Sequence, residues 1–364
     1  MRTNPYGSTG KQLSVIGFGG MRLPTPKNHD AGIALLHAAR RAGVNYFDTA
    51  PNYCDDQSEI IFGEAIRTMP PADIPLYTSS KSCHPKASDF RRGLEQSLRR
   101  LGVPQITFFH IWCVMTPADW QQRVSGGALR EALRAKEEGL IGHVCVSTHM
   151  RGPEIAAMLA DHPEIEGVTL GYSAINFPYR RAGVAAARQL RRGVVAMNPL
   201  GGGLIPRHAA HFDFIRAPGD PDVVTAALRF LASDPGITTA LVGFNALAEI
   251  EAAVRAITDF TPYTPEHLAQ IQTHIEEKFD SMCTGCGYCL PCPRNVPIPQ
   301  YMDTHNHIQL GADPDAAHAR LKYHWELTPR QAADCIACGL CETRCTQRLP
   351  IIQRLRTIAA LAKK

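Results

Sequence analysis

The sequence predicts an α/β fold: eight parallel strands alternate with helices and close into a (β/α)8 TIM barrel, and a small helical domain follows. Eight short apolar, β-branched segments recur through the first 260 residues, with segments of helical period between them. Eight of the 12 cysteines then fall between Cys283 and Cys345, which marks a C-terminal region of different chemistry. We therefore expect two domains, residues 1–262 and 263–364.

The predicted strands are almost continuously hydrophobic, as is typical of parallel strands covered on both faces. They occupy residues 15–20, 45–49, 76–81, 106–112, 143–147, 168–172, 194–198 and 239–244. An open doubly wound sheet is the alternative, but it would normally carry a Gly-x-Gly-x-x-Gly turn after its first strand. The segment GFGG at 17–20, followed by MRLP, lacks that pattern, so the barrel is favoured.

Helical periodicity is clearest in residues 88–101, whose apolar side chains recur on one helix face. Ser88 is placed to cap this helix and Gly102 to end it. Similar patterns end before Gly43 and before Pro235, residue types that stop helices. Each of these helices lies between two predicted strands, as parallel strand pairs require.

Composition excludes several classes of protein. The chain has 38 Lys and Arg against 34 Asp and Glu, a net charge of +4, which argues against broad nucleic-acid binding. No apolar run approaches the roughly 18 residues of a membrane span. The first ten residues lack the basic and apolar segments of a signal peptide. We expect a soluble, cytoplasmic protein without nucleic-acid or membrane partners.

Polar residues at the ends of the early strands predict the active site, because barrel enzymes work at the C-terminal ends of their strands. The candidates are Asp48, Tyr53, Lys81 and His110. Each alone has an ordinary structural explanation, but together they describe a catalytic acid. A tyrosine hydroxyl has an unperturbed pKa of about 10, which a nearby lysine lowers while a buried aspartate keeps that lysine charged. A histidine beside them could orient a carbonyl oxygen.

These residues lie in segments that resemble the aldo/keto reductases, namely NYFDTAPNY (45–53), YTSSK (77–81), SLRRLGV followed by FFHIW (97–112) and KEEGLIGHVCVST (136–148). The resemblance implies an oxidoreductase that reduces a small-molecule carbonyl, or oxidises an alcohol, with NADP(H) or NAD(H). It implies that Tyr53 is the general acid, tuned by Lys81 and Asp48. It also implies that His110 positions the substrate carbonyl.

The same resemblance places the cofactor at the later strand ends, where this sequence departs from the family. Tyr172 stands in place of the usual glutamine, and Met197 in place of the usual aromatic residue. Glycines after the seventh strand could admit a pyrophosphate, and the last helix opens as a phosphate site should. The candidate cofactor-binding residues are Ser147, Tyr172, Met197, Gly201, Gly202, Gly243 and Asn245.

The C-terminal region carries two similar motifs, CTGCGYCLPCP and CIACGLCETRC. Their cysteines are Cys283, Cys286, Cys289, Cys292, Cys335, Cys338, Cys341 and Cys345. Four consecutive, closely spaced cysteines favour a [4Fe–4S] cluster. Zinc is the alternative, but it uses two pairs separated by a longer loop. The sequence therefore predicts two [4Fe–4S] clusters.

The two motifs resemble two-cluster ferredoxins, in which the fourth cysteine of each motif binds the other cluster. One cluster would then be held by Cys283, Cys286, Cys289 and Cys345, and the other by Cys292, Cys335, Cys338 and Cys341. Between the motifs, residues 305–310 and 315–323 predict helices, so we expect a helical ferredoxin-like domain. The combination resembles a group of predicted aldo/keto reductases with a C-terminal ferredoxin-like domain.

Hydride transfer moves two electrons, whereas each cluster passes one, so three interpretations stay open. In the first, nicotinamide and the barrel residues run a reductase while the clusters stabilise or dock the C-terminal domain. In the second, a ferredoxin or other redox partner feeds single electrons through the clusters without nicotinamide, and a flavin could carry them. In the third, the chain is an electron-transfer or regulatory protein with a vestigial barrel site. Cys54, Cys83 and Cys113 could add a metal site, although ordinary packing is favoured.

Overall fold

A computed structural model describes residues 1–23, 28–258, 260–278 and 282–363. The chain forms two compact units. The first comprises residues 1–200 and 215–264, and the second comprises residues 201–214 and 265–364. A segment from within the first predicted domain, 201–214, thus packs with the second unit. Among the described residues, no helix is long and apolar enough to cross a membrane.

The first unit is a closed barrel of eight parallel strands, preceded by an antiparallel hairpin. The hairpin strands are β1 (Thr3–Pro5) and β2 (Gln12–Ser14). The barrel strands, in spatial order, are β3 (Ile16–Gly19), β4 (Tyr46–Asp48), β5 (Tyr77–Ser82), β6 (Ile106–Val114), β7 (Ile141–Thr148), β8 (Gly167–Gly171), β9 (Gly193–Met197) and β10 (Thr239–Val242). β10 pairs with both β9 and β3, which closes the barrel. All eight predicted strands and the barrel itself are confirmed.

Helices alternate with these strands and continue into the second unit. In the first unit they are α1 (His29–Arg41), α2 (Ser58–Arg67), α3 (Ala87–Leu101), α4 (Pro117–Ser125), α5 (Ala128–Glu137), α6 (Gly152–Asp161), α7 (Arg181–Gln189), α9 (Val223–Ser233) and α10 (Leu247–Ala256). In the second unit they are α8 (Leu204–Arg207), α11 (Pro265–Lys278), α12 (Ile298–Gln309), α13 (Pro314–Ala319), α14 (Leu340–Thr343) and α15 (Ile351–Ala360). Gly102 ends α3 with a left-handed φ of 66°, as predicted. The predicted Ser88 cap is wrong, because α3 begins one residue earlier and Lys86 is its N-cap.

The N-terminal end of the barrel is closed by aromatic side chains. Tyr6, in the hairpin, is fully buried, and its ring centroid lies 4.5 Å from that of Phe108 on β6. A Cβ on Gly167 would lie 1.9 Å from the Tyr6 hydroxyl, so the start of β8 must be glycine. This plug leaves the opposite, C-terminal end of the barrel as the place for a site.

The core of the second unit joins α12 to α15. Its buried residues are Val296, Ile298, Tyr301, Met302, Leu321, Ala332, Cys341, Leu349, Ile351, Leu355 and Ile358. Five more of the motif cysteines pack against this core, namely Cys283, Cys289, Cys292, Cys335 and Cys345. Both predicted helices between the motifs are present: α12 covers the first, and α13 with the π-helical turn Arg320–His324 covers the second.

Residues 201–214 are held into the second unit by specific contacts. Arg207 forms an ion pair with Asp303 of α12 at 3.6 Å, and the rings of His208 and His307 meet at 4.5 Å. A Cβ on Gly202 would come 2.2 Å from the carbonyl oxygen of Thr284, next to the first motif cysteine. Gly202 is therefore required both by its φ of 69° and by this close approach.

Replacing Gly202 with alanine is expected to lower the free energy of unfolding of the second unit by more than the cost of a left-handed alanine alone. A left-handed alanine costs about 1–2 kcal/mol. Forcing the Thr284 carbonyl away should add about 1–3 kcal/mol. Gly311 is a matched control, since its φ is 91° and a Cβ there would meet nothing within 4 Å. Urea unfolding of both variants measures the difference, and equal losses would show that the Thr284 contact contributes nothing.

Candidate active site and cluster-binding residues

A buried ion pair lies at the C-terminal ends of β4 and β5. Lys81 Nζ donates to Asp48 Oδ2 at 2.6 Å and to the Thr49 carbonyl oxygen at 2.7 Å. The exposed fractions of Lys81 and Asp48 are only 2% and 3%. Ser79 Oγ donates to the other carboxylate oxygen of Asp48 at 2.7 Å. Burial lowers the pKa of Lys81, and the Asp48 carboxylate opposes that shift, so Asp48 favours the ammonium form of Lys81 in this dry site.

Tyr53 lies above this pair, in the turn between β4 and α2. Lys81 Nζ is 5.1 Å from the centroid of the Tyr53 ring, and the Trp112 ring packs edge-on against Tyr53 at 5.7 Å. The turn is unusual, because Asn52 and residues 54–56 all have positive φ without being glycine. Two ion-pairing hydrogen bonds from Arg100 to the Asp56 carboxylate, at 2.6 and 2.8 Å, fix the turn against α3.

His110 lies deeper in the barrel than the sequence analysis placed it. The Ser79 hydroxyl donates to Asp48, and His110 Nδ1 lies 3.3 Å from that hydroxyl. His110 Nε2 lies 2.9 Å from Thr169 Oγ1, within hydrogen-bond distance. Both ring nitrogens are engaged and the side chain is fully buried. Burial, helped by the Lys81 charge, lowers the pKa of His110 to about 3, so the ring is neutral.

The expected contact of His110 with a substrate carbonyl therefore does not fit the structure. Side chains two residues apart on a strand share a face, so Phe108, His110 and Trp112 of β6 form successive levels of the barrel interior. Phe108 is in the plug, His110 is in the middle, and Trp112 is at the mouth against Tyr53. Sequence analysis missed Trp112, although the alternation of β6 could have identified it.

The candidate cofactor residues have other partners in several cases. The Tyr172 hydroxyl donates to Asp234 Oδ2 at 2.9 Å, and its ring packs on Phe177 and Phe230 with only 1% exposed. Burial raises the pKa of Tyr172 well above its usual range. This side chain is built into the barrel wall, so its expected place against a nicotinamide does not fit. Met197, at the end of β9, packs partly buried against the apolar cluster of the barrel interior.

The expected phosphate site at the start of α10 is also occupied by the chain itself. Gly243 and Asn245 are exposed, but the Asn245 backbone N–H donates to Glu249 Oε2 at 2.7 Å. A carboxylate thus sits where an anionic phosphate was expected. Gly201 and Gly202 belong to the second unit, and Gly202 lies against Thr284. Ser147 is buried on β7 and has no such competing role among its described contacts.

The motif cysteines form two groups, each of which draws on both motifs. Cys283, Cys286 and Cys345 lie close to one another: burial, and then the charges of Cys286 and Cys345, raise the pKa of the Cys283 thiol to about 12. The pKa of the Cys289 thiol is likewise raised to about 12, first by burial and then by the charges of Cys283 and Cys286. Thr346, beside Cys345, has its hydroxyl 3.5 Å from Cys286 Sγ.

The second group lines a single cavity. Cys292 of the first motif contributes to its wall together with the first three cysteines of the second motif, Cys335, Cys338 and Cys341. Cys289 reaches the same wall. In the described ranges, no three histidine, cysteine, aspartate or glutamate side chains converge closely enough to bind a single metal ion. A [4Fe–4S] cluster instead takes each of its four thiolates on a different iron, so the two groups of thiols fit its ligand set without such convergence.

The three isolated barrel cysteines have separate surroundings. Cys54 donates to the Gly20 carbonyl oxygen at 3.4 Å, and burial raises the pKa of its thiol. Cys113 Sγ lies 3.9 Å from Met115 Sδ, and Cys83 is exposed. These contacts give no support for a shared metal site.

The closed barrel with a buried charged pair at its mouth places the chain among the (β/α)8 barrel proteins with a site at the C-terminal ends of the strands. Residues 15–276 match the family model described as the aldo/keto reductase family, and residues 282–350 match a 4Fe-4S dicluster domain. The chain belongs to the aldo/keto reductase family.

Individual relatives are distant. L-galactose dehydrogenase from Arabidopsis thaliana is 23% identical over 304 residues, which cover 74% of this chain and 93% of that protein. An aldo-keto reductase from Bacillus halodurans, in its holo form, has a TM-score of 0.64 and 19% identity, covering 75% of this chain and 96% of its own. One from Klebsiella pneumoniae, in complex with NADPH, has a TM-score of 0.61 and 21% identity, covering 75% and 94%. These structures share the fold of the barrel.

Proposed function

We propose that the protein is an aldo/keto reductase that reduces a small carbonyl compound, or oxidises the corresponding alcohol, with Tyr53 as the general acid. The observation that carries the proposal is the buried Lys81–Asp48 pair with Lys81 Nζ 5.1 Å from the Tyr53 ring. Taking two charged groups out of water costs free energy that their attraction repays only in part. Stability alone therefore does not account for this buried pair. A fixed ammonium near a tyrosine favours the phenolate and so promotes proton donation from the hydroxyl.

The chain's own residues supply the proton step. The Tyr53 hydroxyl donates its proton to the substrate oxygen, and the Lys81 ammonium stabilises the phenolate that remains. Asp48 holds Lys81 in place and keeps it charged. His110 acts through Ser79, which it helps to fix against Asp48, rather than by touching substrate. Trp112 forms an apolar wall beside Tyr53 and restricts the orientation of the bound carbonyl.

The nicotinamide expected from the family fits this chain only in part. Ser147 would hold its carboxamide, and a reduced nicotinamide would supply the hydride. Tyr172 and Asn245, however, are engaged with Asp234 and Glu249. The roles of Tyr53, Lys81 and Asp48 therefore stand independently of the electron source, and NADPH and NADH are the first sources to test.

We further propose that the second unit holds two [4Fe–4S] clusters with exchanged fourth ligands. The proximity of Cys345 to Cys283 and Cys286 supports the first ligand set. The shared cavity of Cys292 with Cys335, Cys338 and Cys341 supports the second. The domain boundary between residues 262 and 263 remains a prediction. In the structure, the second unit also includes residues 201–214.

The Tyr53→Phe variant tests the active-site proposal. Loss of general acid catalysis should lower kcat by about 10²–10⁴-fold with little change in unfolding midpoint. The measurement is anaerobic turnover of a panel of aldehydes and ketones by the cluster-loaded protein with NADPH or NADH. Tyr323→Phe, a tyrosine that is 76% exposed in the second unit, is the matched control and should retain full activity. Equal activity of the two variants would contradict the assigned role of Tyr53.

A second candidate is a reductase that takes single electrons through the clusters without nicotinamide. The misfit at Tyr172 and the carboxylate of Glu249 at the expected phosphate site favour it. Adding NADPH anaerobically and following the clusters by electron paramagnetic resonance separates the two. Carbonyl reduction with oxidised clusters supports the nicotinamide enzyme. Turnover only with a chemically reduced ferredoxin supports the second candidate, for which a flavin carrier remains a prediction.

A further inference from the structure

An exposed apolar surface lies beside the second group of cysteines. Ile336 and Leu340 are 60% and 45% exposed, and both line the cavity of Cys335, Cys338 and Cys341. Leu290 is 42% exposed and precedes Pro291, which lines the same cavity. We name Leu290, Pro291, Ile336, Cys338 and Leu340 the Cys338 patch. Scattered exposed apolar residues are ordinary, but several gathered at one site mark an interaction surface.

The two cysteine groups differ in their access to solvent. Among the eight motif cysteines, all of which the structure describes, Cys338 alone is classed as exposed. Cys283, Cys286, Cys289 and Cys345 are all at least half-buried, and Asn306 encloses Cys283 by hydrogen bonds to its backbone N–H and carbonyl at 3.0 and 2.8 Å. Electron transfer between proteins requires close approach of the two redox centres. A cluster bound at Cys338 is therefore the accessible one.

The sequence around this patch is strongly basic. Residues 328–364 contain seven Lys and Arg against two Asp and Glu. Arg330, Arg344 and Arg356 have exposed side chains, and Arg294, which follows the first motif, is exposed as well. Of the two acids, Glu342 Oε1 accepts from the Ile352 N–H at 2.8 Å, whereas Asp334 is exposed. Of the seven cations, Arg354 is buried, so the exposed balance still favours positive charge. An apolar centre with a basic surround complements an acidic protein.

We propose that the Cys338 patch is the docking site of an acidic iron–sulfur electron carrier. This inference rests on the proposed cluster assignment. One electron leaves the reduced carrier and enters the cluster held by Cys292, Cys335, Cys338 and Cys341, and no bond forms or breaks. The cluster held by Cys283, Cys286, Cys289 and Cys345 is the inner one and exchanges its electron with the outer cluster. The interface is small, the complex is transient, and its affinity falls as the salt concentration rises.

The test uses the cluster-loaded full chain and a small acidic [2Fe–2S] plant-type ferredoxin as the probe. Calorimetry measures the Kd with the oxidised probe, and anaerobic stopped-flow absorbance measures electron transfer from the reduced one. Ile336→Glu places a negative charge in the patch, and Arg344→Glu reverses one in its surround. Each should weaken binding and lower the second-order rate at least tenfold. Tyr323→Glu, at a site outside the patch that is 76% exposed, should change neither.

Iron content and the resonance spectrum of the reduced clusters establish that each variant is loaded. Should Ile336→Glu fail to load, Arg344→Glu and Arg294→Glu carry the test, because neither arginine lines the cavity. The proposal is overturned if the wild type does not bind the acidic probe at low salt, if it binds basic cytochrome c more tightly, or if the loaded variants behave as Tyr323→Glu does. Tyr53→Phe should bind the probe normally, so failure of the active-site proposal would leave this result unaffected.

Discussion

Lys81→Met is expected to destabilise the barrel by about 3–5 kcal/mol, because it leaves Asp48 as an unpaired buried carboxylate. Carbonyl turnover should also fall by about 10²-fold or more, since the phenolate of Tyr53 loses its stabilising charge. Asp48 is 3% exposed, so water cannot replace the ammonium without a change in structure. Urea unfolding followed by far-ultraviolet circular dichroism gives the stability, and steady-state assays give the turnover.

The double variant Asp48→Asn with Lys81→Met separates these two effects. In the wild type, Ser79 donates to the Asp48 carboxylate at 2.7 Å. An asparagine at position 48 can still accept this hydrogen bond, and it carries no charge. Most of the lost stability should therefore return, while turnover stays low. A Lys81→Met protein as stable as the wild type would contradict the expected contribution of the Lys81–Asp48 ion pair to folding. Recovery of turnover in the double variant would contradict the role of the Lys81 charge.

Cys345→Ser is expected to remove the cluster of the first motif, although Cys345 belongs to the second. Cys345 neighbours Cys283 and Cys286, and the second group is completed by Cys292. A [4Fe–4S] cluster held by Cys₄ loses a ligand in this variant, so iron should fall from about eight atoms per chain to about four. Iron and sulfide analysis after anaerobic reconstitution measures this loss.

The identity of the lost cluster comes from matched variants. Cys345→Ser and Cys283→Ser should leave the same residual resonance spectrum, whereas Cys335→Ser should leave a different one. Cys83→Ser, which alters an exposed cysteine outside both groups, should retain all of its iron. If Cys345→Ser instead resembled Cys335→Ser, each motif would hold its own cluster and the exchange of ligands would be wrong.

The barrel could be predicted from sequence because its information is local. Each strand is a short apolar run, and both sides of a parallel sheet are covered, so hydrophobicity alone locates β3 to β10. Gly102 was predictable because a left-handed residue ends a helix. The Ser88 cap failed for a related reason: helix starts depend on the preceding chain, and α3 begins one residue earlier, after an extended Lys86.

The active site was predictable only where spacing determines position. Asp48 and Lys81 end neighbouring strands, so their pairing follows from the barrel. His110 was assigned from residue type, but its depth depends on how far β6 extends, and Trp112 reaches the mouth instead. The partners of Tyr172 and Asn245 differ in kind. Asp234 lies 62 residues from Tyr172, a tertiary contact that no local pattern reveals, whereas Glu249 lies only four residues from Asn245.

The discontinuous second unit has a consequence for the order in which the chain can mature. Residues 201–214 leave the ribosome well before Asp303 and His307, their partners in α12, have been synthesised. A barrel that closes early must therefore carry this segment without its α12 partners until α12 has been synthesised. For the same reason, a C-terminal fragment beginning at residue 265 would lack part of its own structure. The iron–sulfur unit is thus not a detachable tail, and its assembly is tied to the completed chain.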